Sequence, residues 1–219
     1  MKNLIDKINE ILLNYSKGNK KIAYNNLKKI SLKYPDNEKI QFNLAIMEQD
    51  QGMIIKSKTS YKKLIDKYNN TNAKIKLYLL YLKEQNYLSA LEIINLILNE
   101  DDSNYSVILD KAYIYFKSNQ INDCKRICYK VIKEDPKNLK AINLIGRCLL
   151  DEKKYEDAKI ILLKGISYDK NNIAILNSLG KLYFDLWNIE DSEKYFFNAL
   201  EKNPKSYQTL NNLARFILE

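Results

Sequence analysis

The chain has 219 residues, of which 46% are hydrophobic and 29% charged, and it carries a net charge of +9, a composition suited to a folded domain rather than a disordered tail. Its five glycines and three prolines are too few for the many turns of a long β protein, so they favour helices. The absence of histidine excludes Ser-His-Asp and Cys-His catalysis and any zinc site with imidazole ligands.

The N-terminus, MKNLIDKINEILLNYSKGNKK, places acidic and polar residues inside its apolar run and so does not read as a signal peptide. No stretch approaches the roughly 18 uninterrupted apolar residues of a membrane span. Cys124, Cys128 and Cys148 form an odd set, which argues against a complete disulfide framework and for a reducing, cytoplasmic setting. Lys, Asn, Ile and Tyr are abundant, a bias that an AT-rich genome produces without functional meaning.

A period runs through the chain. Gly18 and Gly52 are 34 apart, Gly146 and Gly180 are 34 apart, and Pro136 and Pro204 are twice 34 apart. Units set in that register cover 4–37, 38–70, 71–104, 105–138, 139–172 and 173–206, followed by a terminal helix at 207–219. A small residue recurs in the first half-unit at Ala45, Ala112, Gly146, Gly180 and Ala214. A second recurs early in the other half at Ala23, Ser57, Ala90, Cys124, Ala158 and Ser192. Four residues later come Leu27, Tyr61, Ile94, Cys128, Leu162 and Phe196, and three further on Ile30, Leu64, Ile97, Val131, Gly165 and Ala199. Spacings of four and seven residues define one helix face. Each unit therefore predicts two antiparallel helices, and in the sixth these run from about Ile173 to Leu186 and from Glu190 to Lys202. Gly180 and Ser192 become contacts between the paired helices, Ala199 a contact with a neighbour, and Pro204 a helix stop.

This pattern resembles the tetratricopeptide repeat, a helix-turn-helix unit of 34 residues, over essentially the whole chain. Unit 173–206 carries Leu179, Gly180, Tyr183, Phe196, Ala199 and Pro204 at the family's spacings. Ile11 and Tyr78 depart from the small-residue column, and Lys111 stands where a leucine is expected. The resemblance implies an all-α, right-handed superhelical α-solenoid in one array over 1–219. Such an array presents a concave groove lined by the first helix of each unit, which holds an extended peptide or helix of another protein.

Groove positions are the second, fifth, ninth and twelfth places of each unit. Early units supply apolar and aromatic residues there, among them Leu79, Tyr113 and Phe116. These either pack internally or form a contact site. Later units supply an amide and a cation one turn apart: Asn143 with Arg147, Asn177 with Lys181, and Asn211 with Arg215. The pairs read either as a ladder for the backbone and carboxylates of an acidic peptide or as ordinary solvated positions. The family's clamp for chaperone tails needs an asparagine in the middle unit, where Asp110 or Ser178 stands, so that specificity is not expected.

Residues 1–70 hold 14 Lys and no Arg against 7 Asp and Glu. Lys20, Lys21, Lys28, Lys29 and Lys33, with Lys56, Lys58, Lys62, Lys63 and Lys67, fall on two second helices, on the convex side of the expected solenoid. They read as a solvated face, with RNA or an anionic surface as the alternative. The cysteines occupy packing columns and read as small core residues, and Trp187 stands at a turn where Gly18 and Gly52 stand in other units. No residue pair reads as acid, base or nucleophile, and no cofactor or metal is expected. The expected function is a non-catalytic scaffold for protein partners. The alternatives are the substrate-recognition region of a longer glycosyltransferase or sulfotransferase, to which LNNLARF at 210–216 is similar, and the lysine-face reading. The apolar ending ARFILE leads to two further expectations. One is that the native protein continues into another helix; the other is that copies associate end to end, with Leu210, Leu213, Ala214 and Ile217 packed inward.

Overall fold

The computed structural model describes residues 3–218, with side chains described up to Ala214 apart from Gln208. Among the described residues every regular element is a helix. The chain divides into two compact units, Met1–Asp101 and Asp102–Glu219, and the division falls in the polar, acidic loop 99–104.

The first unit contains α1 (Leu4–Ser16), α2 (Lys20–Lys33), α3 (Glu38–Asp50), α4 (Ile54–Tyr68), α5 (Thr71–Lys83) and α6 (Tyr87–Leu98). The second contains α7 (Tyr105–Lys117), α8 (Ile121–Glu134), α9 (Leu139–Asp151), α10 (Tyr155–Tyr168), α11 (Ile173–Asp185), α12 (Ile189–Lys202) and α13 (Tyr207–Leu218). Within each unit consecutive helices pack on one another, and in the second unit the odd-numbered helices α7, α9, α11 and α13 also pack side by side. This is the helix-pair arrangement expected from the period.

Three local devices set the helix ends. First, an asparagine precedes each of α1, α3, α5, α7, α9 and α11. Asn3, Asn37, Asn70, Asn104, Asn138 and Asn172 each accept a hydrogen bond from a backbone N–H in the first turn. That bond satisfies one of the donors that a helix start leaves unpaired. Second, the turn inside each pair contains one residue in the left-handed region: Gly18, Gly52, Gln85, Asn119, Lys153 and Trp187. In the last turn, Trp187 donates to the Phe184 carbonyl and Asn188 to the Tyr183 carbonyl, both at 2.9 Å, so the carbonyls at the end of α11 are closed off. Third, Pro35, Pro136 and Pro204 each stand two residues beyond a helix end, at α2, α8 and α12, where the missing N–H and fixed φ prevent continuation.

The small residues sit where helices approach most closely. A Cβ on Gly180 would lie 2.6 Å from the Phe196 ring, and one on Gly146 would lie 2.4 Å from Leu162. Both are contacts between partners of a pair. Ser192 reinforces the first by donating its hydroxyl to the Gly180 carbonyl at 2.9 Å. A Cβ on Gly165 would meet Ile175 of the next pair at 2.6 Å and Ile142 of its own partner helix at 2.9 Å, so its column sits where α10 meets both α9 and α11. Cys124, Cys128 and Cys148 are free thiols buried in the core of the second unit. The Cys124 thiol is pushed up to about 12, first by its hydrogen bond to Cys128, with burial adding to the rise. Ile11 and Tyr78, the departures from the small-residue column, are also buried.

The first unit uses charge inside. Lys74 is 1% exposed, and its ammonium is held by Glu100 at 2.6 Å. Glu100 also accepts from Asn69, and these two bonds, that from Lys74 first, hold its carboxyl below the usual range. Glu48 is buried too, paired with Lys56 at 2.9 Å and accepting from Ser60.

The last helix departs from expectation. Leu213 is buried, but Leu210 and Ala214 are exposed, and Thr209 takes the buried place one residue earlier. Thr209 bonds Ser206 and Asn177, which turns its side inward and carries Leu210 outward. The eighth place, held by Ala214, is the place at which Gly146 and Gly180 meet the second helix of their own pairs. The expectations on the side chains of Phe216, Ile217 and Leu218 lie outside the described residues.

Candidate functional site

The candidate site lies on the side-by-side first helices of the second unit, α7, α9, α11 and α13. Two ninth-place residues, Arg147 and Lys181, reach back to the end of the preceding first helix. Arg147 on α9 lays its guanidinium over the Phe116 ring of α7, 4.3 Å from the centroid. Lys181 on α11 bonds Asp185 at 3.2 Å on its own helix and lies 3.8 Å from Asp151 at the end of α9. Tyr113 stands one turn before Phe116 on α7, with the Lys117 ammonium 5.9 Å from its ring centroid. Arg147, Phe116, Tyr113 and Lys181 are all half-buried.

The fifth-place asparagines behave differently from a free ladder. Asn143 accepts from the Ser178 hydroxyl of α11 at 2.7 Å. Asn177 is buried and donates to the Ile173 carbonyl at 2.9 Å and to the Thr209 hydroxyl of α13 at 2.8 Å, while its carbonyl oxygen accepts from Asn212. The expectation that Asn177 offers its amide to a ligand is therefore corrected: both of its donor N–H groups and its acceptor oxygen serve the fold. The cause is register, because the fifth place of one first helix lies against the third and sixth places of the next. Asn211 is exposed. The side chain of Arg215 lies outside the described residues. Leu79, on α5 of the first unit, is exposed and belongs to a different unit from the other candidates.

Charges on this face are largely matched. Lys140 pairs with Asp110 at 2.5 Å, and Lys181 has two carboxylates near it. Arg147 has the Phe116 ring beneath it and no ion pair among the described residues. Its charge is thus presented on an aromatic support, an arrangement worth about 0.5–1 kcal/mol where exposed. The residues that tie the face together, Ser178, Thr209 and Asn212, carry a weak signal in the sequence. The sixth place reads Asp110, Leu144, Ser178, Asn212, and polar residues there mark a seam between first helices rather than a core column. Among the described residues no group of Cys, Asp and Glu is arranged to hold a metal ion, and no helix is long and apolar enough to cross a membrane.

The profile of the family described as Anaphase-promoting complex, cyclosome, subunit 3 matches residues 83–165. No curated protein matches the chain at a significant level. Among solved structures, a tetratricopeptide repeat protein from Parabacteroides merdae is 15% identical, covers 97% of this chain and 98% of its own, and superposes with a TM-score of 0.62. The APC/C hetero-tetramer Cut9-Hcn1 aligns at 12% identity over 97% of this chain, with a TM-score of 0.70, and this chain spans 42% of that one. YrrB, described as a TPR protein with an unusual peptide-binding site, aligns at 14% identity over 84% of this chain and 96% of its own, with a TM-score of 0.56. Identities this low carry the fold alone. Joined to the period of 34 residues and the helix pairs it produces, they show that this chain has the tetratricopeptide-repeat fold.

Proposed function

We propose that this chain is a non-catalytic scaffold that holds a segment of a partner protein on the first-helix face of its second unit. The observation that carries the reading is the half-buried cluster of Arg147 stacked on Phe116 with Tyr113 one turn away. Aromatic side chains and arginine are the residue types that dominate binding energy at protein interfaces. YrrB shows that a protein of this fold carries a peptide-binding site. The partner segment is extended, with an apolar or aromatic side chain for the Tyr113–Phe116 surface and a carboxylate for Arg147. Lys181 contributes less, since Asp185 and Asp151 already neutralise it. Asn143, Asn177 and Asn211 are not direct contacts in this reading; the first two hold neighbouring first helices in register.

A photoreactive phenylalanine analogue at Tyr113 in the full chain captures the bound segment, which is then synthesised as a peptide. Phe116→Ala and Arg147→Ala are each expected to weaken binding of that peptide by about 1–3 kcal/mol, with helix content unchanged. Lys181→Ala is expected to change it by less than either. Equal affinity of the Phe116→Ala, Arg147→Ala and parent proteins would refute the site.

A further inference from the structure

We propose that the outer faces of α2 and α4 in the first unit form a docking surface for an anionic lipid bilayer. This is separate from the partner face of the second unit.

Most of the positive charge on this surface has no ion-pair partner, although Asp36 and Asp66 line the cleft beside Lys63. Lys21, Lys28, Lys29 and Lys33 of α2 and Lys62 and Lys63 of α4 have no ion pair among the described residues, and all are exposed. Their neighbours show what pairing looks like here. Lys56 is bonded to Glu48, Lys58 to Glu84 and Lys67 to Asp36, which leaves the unpaired lysines concentrated on the outward side. Helical spacing explains the separation. In α2 the buried residues are Ala23, Tyr24, Leu27 and Ser31; Lys29 and Lys33 lie opposite them, and Lys21 and Lys28 flank that outer face. In α4 the buried residues are Ser57, Tyr61 and Leu64, and Ile55, Lys62 and Lys63 lie opposite. The two helices stand beside each other: Lys56 of α4 donates to the Tyr24 hydroxyl of α2 at 2.7 Å, and Ser31 and Leu32 line a cleft with Ser60, Lys63 and Tyr68.

Large aliphatic side chains stand among these lysines with nothing over them. Ile22 is 64% exposed, Leu32 75% and Ile55 83%. An amine surrounded by free aliphatic tips matches the boundary of a bilayer, where phosphate and carboxylate headgroups meet acyl chains. It matches a nucleic acid poorly. The two helices carry no arginine for bidentate phosphate contacts. Their rings, Tyr24, Tyr61 and Tyr68, are buried or half-buried rather than offered for base stacking.

The test is flotation of the full chain with vesicles of phosphatidylcholine alone and of phosphatidylcholine mixed with phosphatidylserine, alongside binding to a labelled uridine oligonucleotide. The proposal expects binding to the mixed vesicles only, weakened by added salt. Each of Lys28→Ala, Lys29→Ala and Lys33→Ala is expected to lower vesicle affinity about fivefold, the factor matching about 1 kcal/mol for each basic residue near an anionic surface. The triple variant Ile22→Asn, Leu32→Asn, Ile55→Asn keeps every charge and is expected to lose vesicle binding as well. Because these side chains are exposed, all variants should melt like the parent, which separates a lost surface from a lost fold. No binding to mixed vesicles at low salt, or vesicle binding that the lysine variants leave intact, overturns the proposal. Oligonucleotide binding lost with the lysines but kept by the aliphatic triple variant, without vesicle binding, overturns it in favour of RNA.

Discussion

The two units fill one repeat with different chemistry. In the second, helices come together through missing side chains: Gly146 admits Leu162, Gly165 admits Ile142 and Ile175, and Gly180 admits Phe196. In the first, the glycines Gly18 and Gly52 stand in turns, and the interior contains charged groups, Lys74 with Glu100 and Glu48 with Lys56. The backbone solution is shared, down to the asparagine that opens each of the six helix pairs and the left-handed residue inside each pair. A repeat of this kind therefore fixes helix ends and leaves the filling open, because each unit need only match its immediate neighbours.

The strongest way to break this comparison is to overfill the glycine contact. Gly180→Leu places a branched side chain where even a Cβ would sit 2.6 Å from the Phe196 ring. The expected loss is about 1–3 kcal/mol or more from overpacking, read by urea unfolding. Adding Phe196→Leu should recover part of it. A variant that melts like the parent would place Gly180 away from the helix contact.

Charge removal probes the other unit. Glu100→Ala leaves the buried Lys74 ammonium without its carboxylate and is expected to lower the urea midpoint of the first unit. Lys74→Met removes the buried charge and leaves a carboxylate that water can reach, so it should cost much less. If the two variants lose equal stability, the buried ammonium is not the sensitive member of the pair. Acid gives the same contrast. The Glu100 carboxyl is held below its ordinary 4.5 in the fold, so the unfolded chain binds the proton first as pH falls. The stability it contributes is thus complete above about 4.5 and lost as pH drops through the lower folded value. Glu152 of the second unit, lowered first by Lys125 and then by Lys154, follows the same sign. Glu100→Ala should flatten the acid limb of the stability curve without removing it.

The shared caps should respond alike. Asn70→Ala in the first unit and Asn138→Ala in the second each remove an N-cap and are expected to lose about 1 kcal/mol, measured by thermal unfolding. A large difference between them would show that the cap depends on what fills the unit. The smallest expected effect is a gain. Trp187 has φ 59° and is 81% exposed, so Trp187→Gly relieves a left-handed backbone while removing little packing. The gain should stay below about 1 kcal/mol, because glycine also adds freedom to the unfolded chain.

Much of this architecture is legible in the sequence because backbone contact between helices demands small residues at fixed places. Gly146, Gly180, Ser192 and Ala199 announce the helix pairs, and Pro204 announces their end. The sixth pair confirms this closely, with α11 ending one residue before the expected Leu186 and α12 beginning one residue before the expected Glu190. The asparagine column at 3, 37, 70, 104, 138 and 172 is equally regular, yet it hides among many other asparagines, and only its first-turn hydrogen bonds give it meaning. The candidate site is less legible. Whether Asn177 faces solvent depends on Thr209 and Asn212 of the next first helix, and Arg147 meets Phe116 only through the register of α7 and α9. Lys74 is hidden for the same reason: its partner Glu100 lies beyond α6 on the loop rather than one helical turn away.

The buried thiols have a use that reaches beyond packing. Cys124, Cys128 and Cys148 sit buried as free thiols on α8 and α9 in the middle of the second unit, and hydrogen bonding and burial push the Cys124 and Cys148 thiols up. An alkylating reagent can reach them only when that part of the array opens. Their labelling rate is therefore a clock for local opening at one junction, and it needs no engineered probe. Run in urea below the unfolding midpoint, that clock would tell whether the array comes apart in one step or parts first beside α8.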